Sequence, residues 1–173
     1  MKNIYYWEFQ YNKLKVQVAS SDIGAVRVKI GFTIKRDFLS DLKALAPRAE
    51  FFRDFKRNKG LIDVIQAYLK GDNPAINLPW DIKATSFSYN VWKGACSIPY
   101  GETRYYKDIA SMVGKPKGAR AVGQALKRNP LLILIPCHRV VSTNGLGGFG
   151  AGIDVKRYLL NLEQGEPASA DLG

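Results

Sequence analysis

Pro136-Cys137-His138-Arg139-Val140 sets a thiol, an imidazole and a guanidinium on consecutive residues. Cys137 is the strongest nucleophile in this run, but sulfur attacks as the thiolate and therefore needs a base or a positive charge nearby. His138 and Arg139 are of the types that supply either. On an extended chain, neighbouring side chains point opposite ways. Cys137 and His138 then need not touch, and a water could carry the proton between them. Glu163, at the end of the last helical pattern, is of the type that orients an imidazole. A cysteine protease would need a histidine distant in sequence, and His138 is the only histidine in the chain. The blander readings are a buried thiol beside a surface imidazole, and an exposed helix-end carboxylate at Glu163.

These residues need a scaffold, and the chain has 173 residues, 46% of them hydrophobic, enough for one ordinary domain or two small ones. Its formal net charge of +11 attracts polyanions such as nucleic acid or acidic membrane surfaces. Two cysteines and one histidine cannot complete a four-ligand zinc site without carboxylates, nor a disulfide framework. Cys96 is expected as a small core residue. The first residues, MKNIYYWEFQ, lack the apolar core of a signal peptide. The longest clean apolar run, Leu131 to Ile135, is too short to cross a bilayer. An intracellular, reducing compartment is therefore expected.

Period-two alternation predicts strands at Lys13–Ala19 and Gly24–Phe32, and Tyr and Trp content predicts another at Ile4–Phe9, turned back at Asn12. Together they suggest an antiparallel meander. Helical spacing appears at Ser40–Leu45 and Leu61–Leu69, with Gly71 placed to end the latter. Gly71 to Lys83, with Pro74 and Pro79, reads as a linker between two halves. Beyond it, Phe87, Val91, Trp92 and Ala95 form one stripe behind a cap at Thr85 or Ser86. Thr103 could cap a helix to Val113, and Arg120 to Arg128 forms another. Leu131–Ile135 reads as an extended run, Asp154–Leu162 as a last helix, and the tail after Gln164 as frayed. Between residues 104 and 139, Arg104, Lys107, Lys115, Lys117, Arg120, Lys127, Arg128 and Arg139 face only Asp108. Two short cationic helices joined by Gly114-Lys-Pro-Lys-Gly118 have the form of a helix-turn-helix, or of a solvated basic face.

Several runs, taken together, give a resemblance. Ile98-Pro-Tyr-Gly-Glu-Thr103, Tyr106, Arg120-Ala-Val-Gly123, Asn129-Pro130, Ile135-Pro-Cys-His-Arg-Val-Val141 and Lys156, Leu159-Leu160 and Glu163 resemble the O6-alkylguanine-DNA alkyltransferase family, in order and with spacing intact. The resemblance covers about Leu78 to Glu163. It implies an α+β protein with a small N-terminal antiparallel-sheet domain, ribonuclease-H-like, over 1–77. A mainly helical, winged-helix-like domain with a helix-turn-helix would follow over 78–173. It implies direct repair, in which the alkyl group on guanine O6 (and on thymine O4) moves irreversibly to Cys137, one lesion per molecule. The partner implied is double-stranded DNA, held through the minor groove by a monomeric, cytoplasmic (in a eukaryote, nuclear) protein with no membrane association.

By the same resemblance, Glu163, His138 and a water deprotonate Cys137, Asn129 braces the network, and the Tyr106 hydroxyl donates a proton to the leaving base. A modified base must leave the duplex to be reached. Arg120 would fill the vacated space, with small Ala119 and Ala121 permitting close approach and Lys127 and Arg128 contacting the backbone. Gly145-Leu-Gly-Gly-Phe-Gly-Ala-Gly152 contains a formal G-x-G-x-x-G, but the chain ends too soon after it for a βαβ unit. In the family this loop walls the base pocket, which gives Gly148, Phe149, Gly150 and Val140 that role. Phe149 departs from the family's usual Tyr, and Tyr105 replaces a small polar residue. With no Cys or His before Cys96, the structural zinc site of some relatives has no ligands here, and no metal or cofactor is expected.

Two rivals are a lesion-binding module that recognises alkylated guanine without transfer, and an unrelated cysteine hydrolase. Relatives of the first kind usually carry Trp in place of the nucleophile, and the single histidine disfavours the second.

Overall fold

The computed structural model describes residues 2–166. The chain divides after Ile82 into two compact units.

In the first unit, β1 (Asn3–Tyr11), β2 (Leu14–Ser20) and β3 (Ala25–Gly31) form the expected antiparallel meander, and Asn12 turns it in the left-handed region at φ 50°. A fourth strand, β4 (Glu50–Arg53), pairs parallel to β1. The sheet order is therefore β3-β2-β1-β4 and the sheet is mixed, a correction to the purely antiparallel expectation. A parallel neighbour needs a crossover, which α1 (Phe38–Leu45) supplies. It buries Phe38 and Leu42 against Ile4, Ala19 and Val26 on one face of the sheet. The opposite face, carrying Val16 and Val18, lies under α2 (Phe55–Leu69). Asp54 caps α2 by accepting from the Arg57 amide at 3.0 Å, so the helix starts at Phe55, six residues before the predicted Leu61.

The segment read as a linker is instead strapped to this sheet. The Ala25 amide donates to Pro79 O and the Asp81 amide to Ala25 O, both at 2.8 Å. Asp81 also pairs with Lys2 at 2.7 Å and accepts from the Ser21 hydroxyl. A Cβ on Gly24 would lie 2.3 Å from Pro79 O, so only glycine lets the strap lie this close.

In the second unit, α3 (Ser86–Cys96), α4 (Tyr106–Met112) and α5 (Ala119–Lys127) pack on one another. Thr85 caps α3, its hydroxyl accepting from the Ser88 amide at 3.1 Å. Val91, Trp92 and Ala95 are buried as the stripe required, but Cys96 is exposed, one position past the apolar face. Thr103 does not cap α4. The chain first pairs β5 (Arg104–Tyr105) parallel to β6 (Val140–Val141), and Asp108 then accepts from the Tyr105 amide at 2.8 Å. Leu131–Ile135 is not extended. It is a buried turn closed by Ile135 N to Leu131 O at 2.9 Å, with Ile133 at φ 74°. The last helix is α6 (Ile153–Glu163). Among the described residues no helix is long and apolar enough to cross a membrane. The end of the predicted frayed tail, from residue 167, lies outside the described residues.

Candidate functional site

Asn129 organises the loop that delivers the thiol. Its side-chain Oδ1 accepts from the Leu131 amide at 2.8 Å, and its Nδ2 donates to Ile135 O at 2.9 Å and to Cys137 Sγ at 3.0 Å. The turn between those points brings the chain back on itself, and a short 3-10 helix, Cys137–Arg139, follows. Cys137 and His138 therefore lie on a helical turn and not on opposite sides of a strand. Cys137 is 5% exposed, yet its small accessible part lines a cavity of about 490 Å³. That volume falls in the range of small-molecule sites, about 300–1,000 Å³.

Burial pushes the Cys137 thiol up to about 11, against the pull of the Asn129 hydrogen bond and the charge of Lys156. Lys156 is 0% exposed. Its ammonium donates to Val140 O at 2.7 Å and Gly148 O at 3.2 Å, and lies 5.8 Å from the Tyr106 ring centroid. Burial lowers it to about 8, while a Cys137 thiolate would draw it back up. A sequence reading gives Lys156 no role beyond its place in a motif. The signal was its position on the buried stripe Val155, Lys156, Leu159, Leu160, Glu163, where a lysine is costly unless partnered.

Two turns further along the same face, Glu163 is buried rather than exposed. Its Oε1 lies 2.6 Å from His138 Nε2, and the Gly101 amide donates to Oε2 at 2.9 Å. Arg139 Nε donates to Oε2 at 2.9 Å and its Nη2 to Oε1 at 3.0 Å, while Nη1 reaches Ile98 O at 2.8 Å. Arg139 therefore serves Glu163, and the cation that acts on the thiol is Lys156. Burial holds His138 below the usual imidazole value despite Glu163, which keeps the ring neutral near pH 7. With Nε2 donating to the carboxylate, a neutral ring has Nδ1 as its basic nitrogen.

The cavity mouth gathers most of the remaining sequence candidates. Tyr106, Ala119, Arg120, Lys127, Gly148, Phe149 and Gly150 line it. Arg120, the second residue of α5, is exposed. Tyr106 donates to Gly148 O at 3.3 Å, and its hydroxyl is pushed up by burial and then by Cys137. Phe149 meets His138 edge-on, with centroids 6.4 Å apart. Ala121 and Arg128 are exposed and stand outside the lining, and Val140 is fully buried and contributes its carbonyl to Lys156 rather than a wall. Sequence reading missed the lining residues Gly123, Gln124, Leu126 and Ser142, whereas Gly147 belongs to the loop expected to wall the pocket. Gly147 has φ 72°, and a Cβ there would sit 2.8 Å from the Tyr106 hydroxyl. Among the described residues no three His, Cys, Asp or Glu side chains are grouped to hold a metal.

A family model described as "6-O-methylguanine DNA methyltransferase, DNA binding domain" matches residues 86–165. The methylated-DNA–protein-cysteine methyltransferase of Methanosarcina barkeri is 43% identical over 129 residues, which is 74% of this chain and 82% of that protein. The protein of that name from Mycobacterium tuberculosis is 46% identical over 114 residues, 65% of this chain and 68% of its own. The crystal structure of Mycobacterium tuberculosis O6-methylguanine methyltransferase is similar with a TM-score of 0.80 at 32% identity, covering 94% of each chain. A structure of that organism's protein in complex with DNA is similar with a TM-score of 0.78 at 31% identity, covering 95% of this chain and 96% of that one.

Proposed function

Since the chain belongs to the methylated-DNA–protein-cysteine methyltransferase family, we propose that Cys137 is the cysteine that takes the alkyl group from O6-alkylguanine in DNA. The protein acts in DNA repair by alkyl transfer to itself. The observation that carries the assignment is the Cys137 sulfur, partnered by Asn129 and near Lys156, at the wall of a cavity rimmed by Tyr106 and Arg120.

Burial disfavours the Cys137 thiolate at pH 7, so the sulfur needs a base. His138 is the base, through a water, and Glu163 holds the ring and stabilises the imidazolium it becomes. Lys156 favours the sulfur anion. The thiolate attacks the alkyl carbon in line; the carbon–sulfur bond forms as the carbon–O6 bond breaks, and that electron pair leaves with the guanine. Tyr106 can return a proton to the base as charge develops on it. The thioether is stable, so each molecule acts once, on O6-alkylguanine and also O4-alkylthymine.

Arg120 fills the space left by the flipped base, α5 enters the minor groove, and Ala119, Ala121, Lys127 and Arg128 meet the backbone. Exposure of Arg120, Ala121, Lys127 and Arg128 on and just after one short helix supports this placement. We read the first unit as ribonuclease-H-like, supported by its meander and parallel fourth strand, and the second as winged-helix-like. The protein acts as a monomer in a reducing cytoplasmic or nuclear compartment, without a cofactor.

The test is to incubate the protein with duplex DNA containing O6-methylguanine and weigh it. One methyl-for-hydrogen increment on Cys137 is expected. Retained binding with no increment would instead mark a lesion sensor, and neither result would mark an unrelated hydrolase.

A further inference from the structure

Alkyl transfer as described uses the second unit, yet residues 1–80 carry 14 basic and 8 acidic side chains of their own. Part of that excess is gathered around a cluster of aromatic rings in which Phe52 and Phe55 are exposed, Trp7 is half-buried and Tyr5 is buried. Tyr5 stacks on Phe52 with centroids 5.9 Å apart, and Trp7 meets Phe55 edge-on at 5.6 Å. The Arg53 guanidinium lies 4.2 Å over Trp7 and that of Arg57 4.7 Å over Tyr5. Alternation along β1 puts Tyr5 and Trp7 on one face, so the six residues form one cluster, with Tyr5 buried beneath Phe52 and Arg57 and the other five at its surface. Phe52 is 44% exposed and Phe55 42%. Arg57 and Lys59 are paired to Asp22 and Asp63, whereas Arg53 and Lys56 make no ion pair among the described residues.

The open rings of Phe52 and Phe55 need an apolar, flat partner, and the cations next to them in the chain, Arg53 and Lys56, need an anionic one. A second copy of this chain, itself at +11, brings like charge to the patch. A nucleic-acid strand meets both needs, with bases against the rings and phosphates against Arg53 and Lys56. A duplex hides its base faces, so the strand must be single. We propose that the surface around Trp7, Phe52 and Phe55 is a second nucleic-acid site, which binds single-stranded DNA by base stacking. It goes beyond alkyl transfer and does not involve Cys137.

The experiment measures binding of the full chain to a labelled thymidine homopolymer, across a salt series, for two double variants. Phe52→Ser with Phe55→Ser should weaken binding about fivefold or more, the loss of one stacked base. Arg53→Ser with Lys56→Ser should lower the salt slope by about 1.4, two phosphate contacts on a single strand. Transfer from free O6-benzylguanine to Cys137 should be unchanged in both variants, which shows that the fold is intact. If the aromatic pair fails to fold, the basic pair decides by its slope. Affinities within twofold of the parent and an unchanged slope overturn the proposal. An equal loss on a fully paired duplex overturns base stacking. A dimer that falls apart in the aromatic variant, with homopolymer binding intact, would make the surface an interface between copies and overturn it as well.

Discussion

Lys156 and Glu163 stand two turns apart on one face of α6, both buried, so a single helix brings a cation towards Cys137 and an anion to His138. In the proposed mechanism the two charges would divide the work of making a thiolate, one stabilising the sulfur anion and the other holding the base that takes its proton. Their burial also leaves marks that can be measured.

Lys156 is lowered to about 8 in the folded chain against 10.5 when unfolded. Between those values the unfolded state binds the extra proton, so stability rises with pH there. The Cys137 thiol, raised from 9.0 to about 11, works in the opposite direction but only above pH 9. Urea unfolding between pH 8 and 9 should therefore show stability climbing in the parent and staying flatter in Lys156→Met. The same variant should transfer more slowly, with its rate rising with pH to a higher midpoint.

Glu163→Gln keeps the shape but leaves Arg139 buried without its counter-charge. Breaking a buried pair from one side costs about 3–5 kcal/mol, and chemical denaturation should show a loss of that order. Transfer from O6-benzylguanine under conditions where the variant is still folded should also slow. Full activity in the folded variant would confine Glu163 to stability.

Gly147→Ala places a methyl group against the Tyr106 hydroxyl at a backbone angle that L side chains avoid. We expect about 1–2 kcal/mol of destabilisation from the backbone alone. Single-turnover kinetics should show at least a tenfold slower transfer, because Tyr106 must move from its place at the cavity.

Arg120→Ala should slow transfer from duplex DNA far more than transfer from free O6-benzylguanine. Parallel rate measurements on the two substrates check this. Equal losses would remove Arg120 from base flipping.

Alkylation replaces the thiol hydrogen with carbon next to Asn129 Nδ2, which lies 3.0 Å from the sulfur. Overpacking of this kind costs about 1–3 kcal/mol. The methylated protein should melt several degrees lower than the free one in calorimetry, about 2–4 °C per kcal/mol for a chain of this size.

The residues proposed to react were legible in the sequence because they are local. Pro136 to Arg139 are adjacent, Asn129 is a few residues upstream, and Tyr106 and Arg120 open or sit near the start of helices whose pattern is plain. Charge partners are a property of three dimensions and stayed hidden. Arg139 looked like a cation for the thiol, but its guanidinium faces Glu163. Strand β4 went unread because its four residues, of which Glu50, Phe52 and Arg53 are exposed, have too little alternation to announce a strand. Leu131–Ile135 was misread for a related reason: five apolar residues in a row have no period, and it takes the Ile135–Leu131 backbone bond and the hydrogen bonds of Asn129 to show that they turn. The first half of α2 was missed because, Asn58 aside, it faces solvent and has no apolar stripe.

Gly24 and Pro79 are separated by most of the first unit, yet they occupy what is nearly a single space. They must be inherited as a pair. A recombination joining the first seventy-odd residues of one homologue to the remainder of another would bring together a glycine and a proline carbonyl with separate histories. Any side chain acquired at 24 in the meantime would pry the strap from the sheet, so viable chimaeras should have their crossovers beyond Asp81.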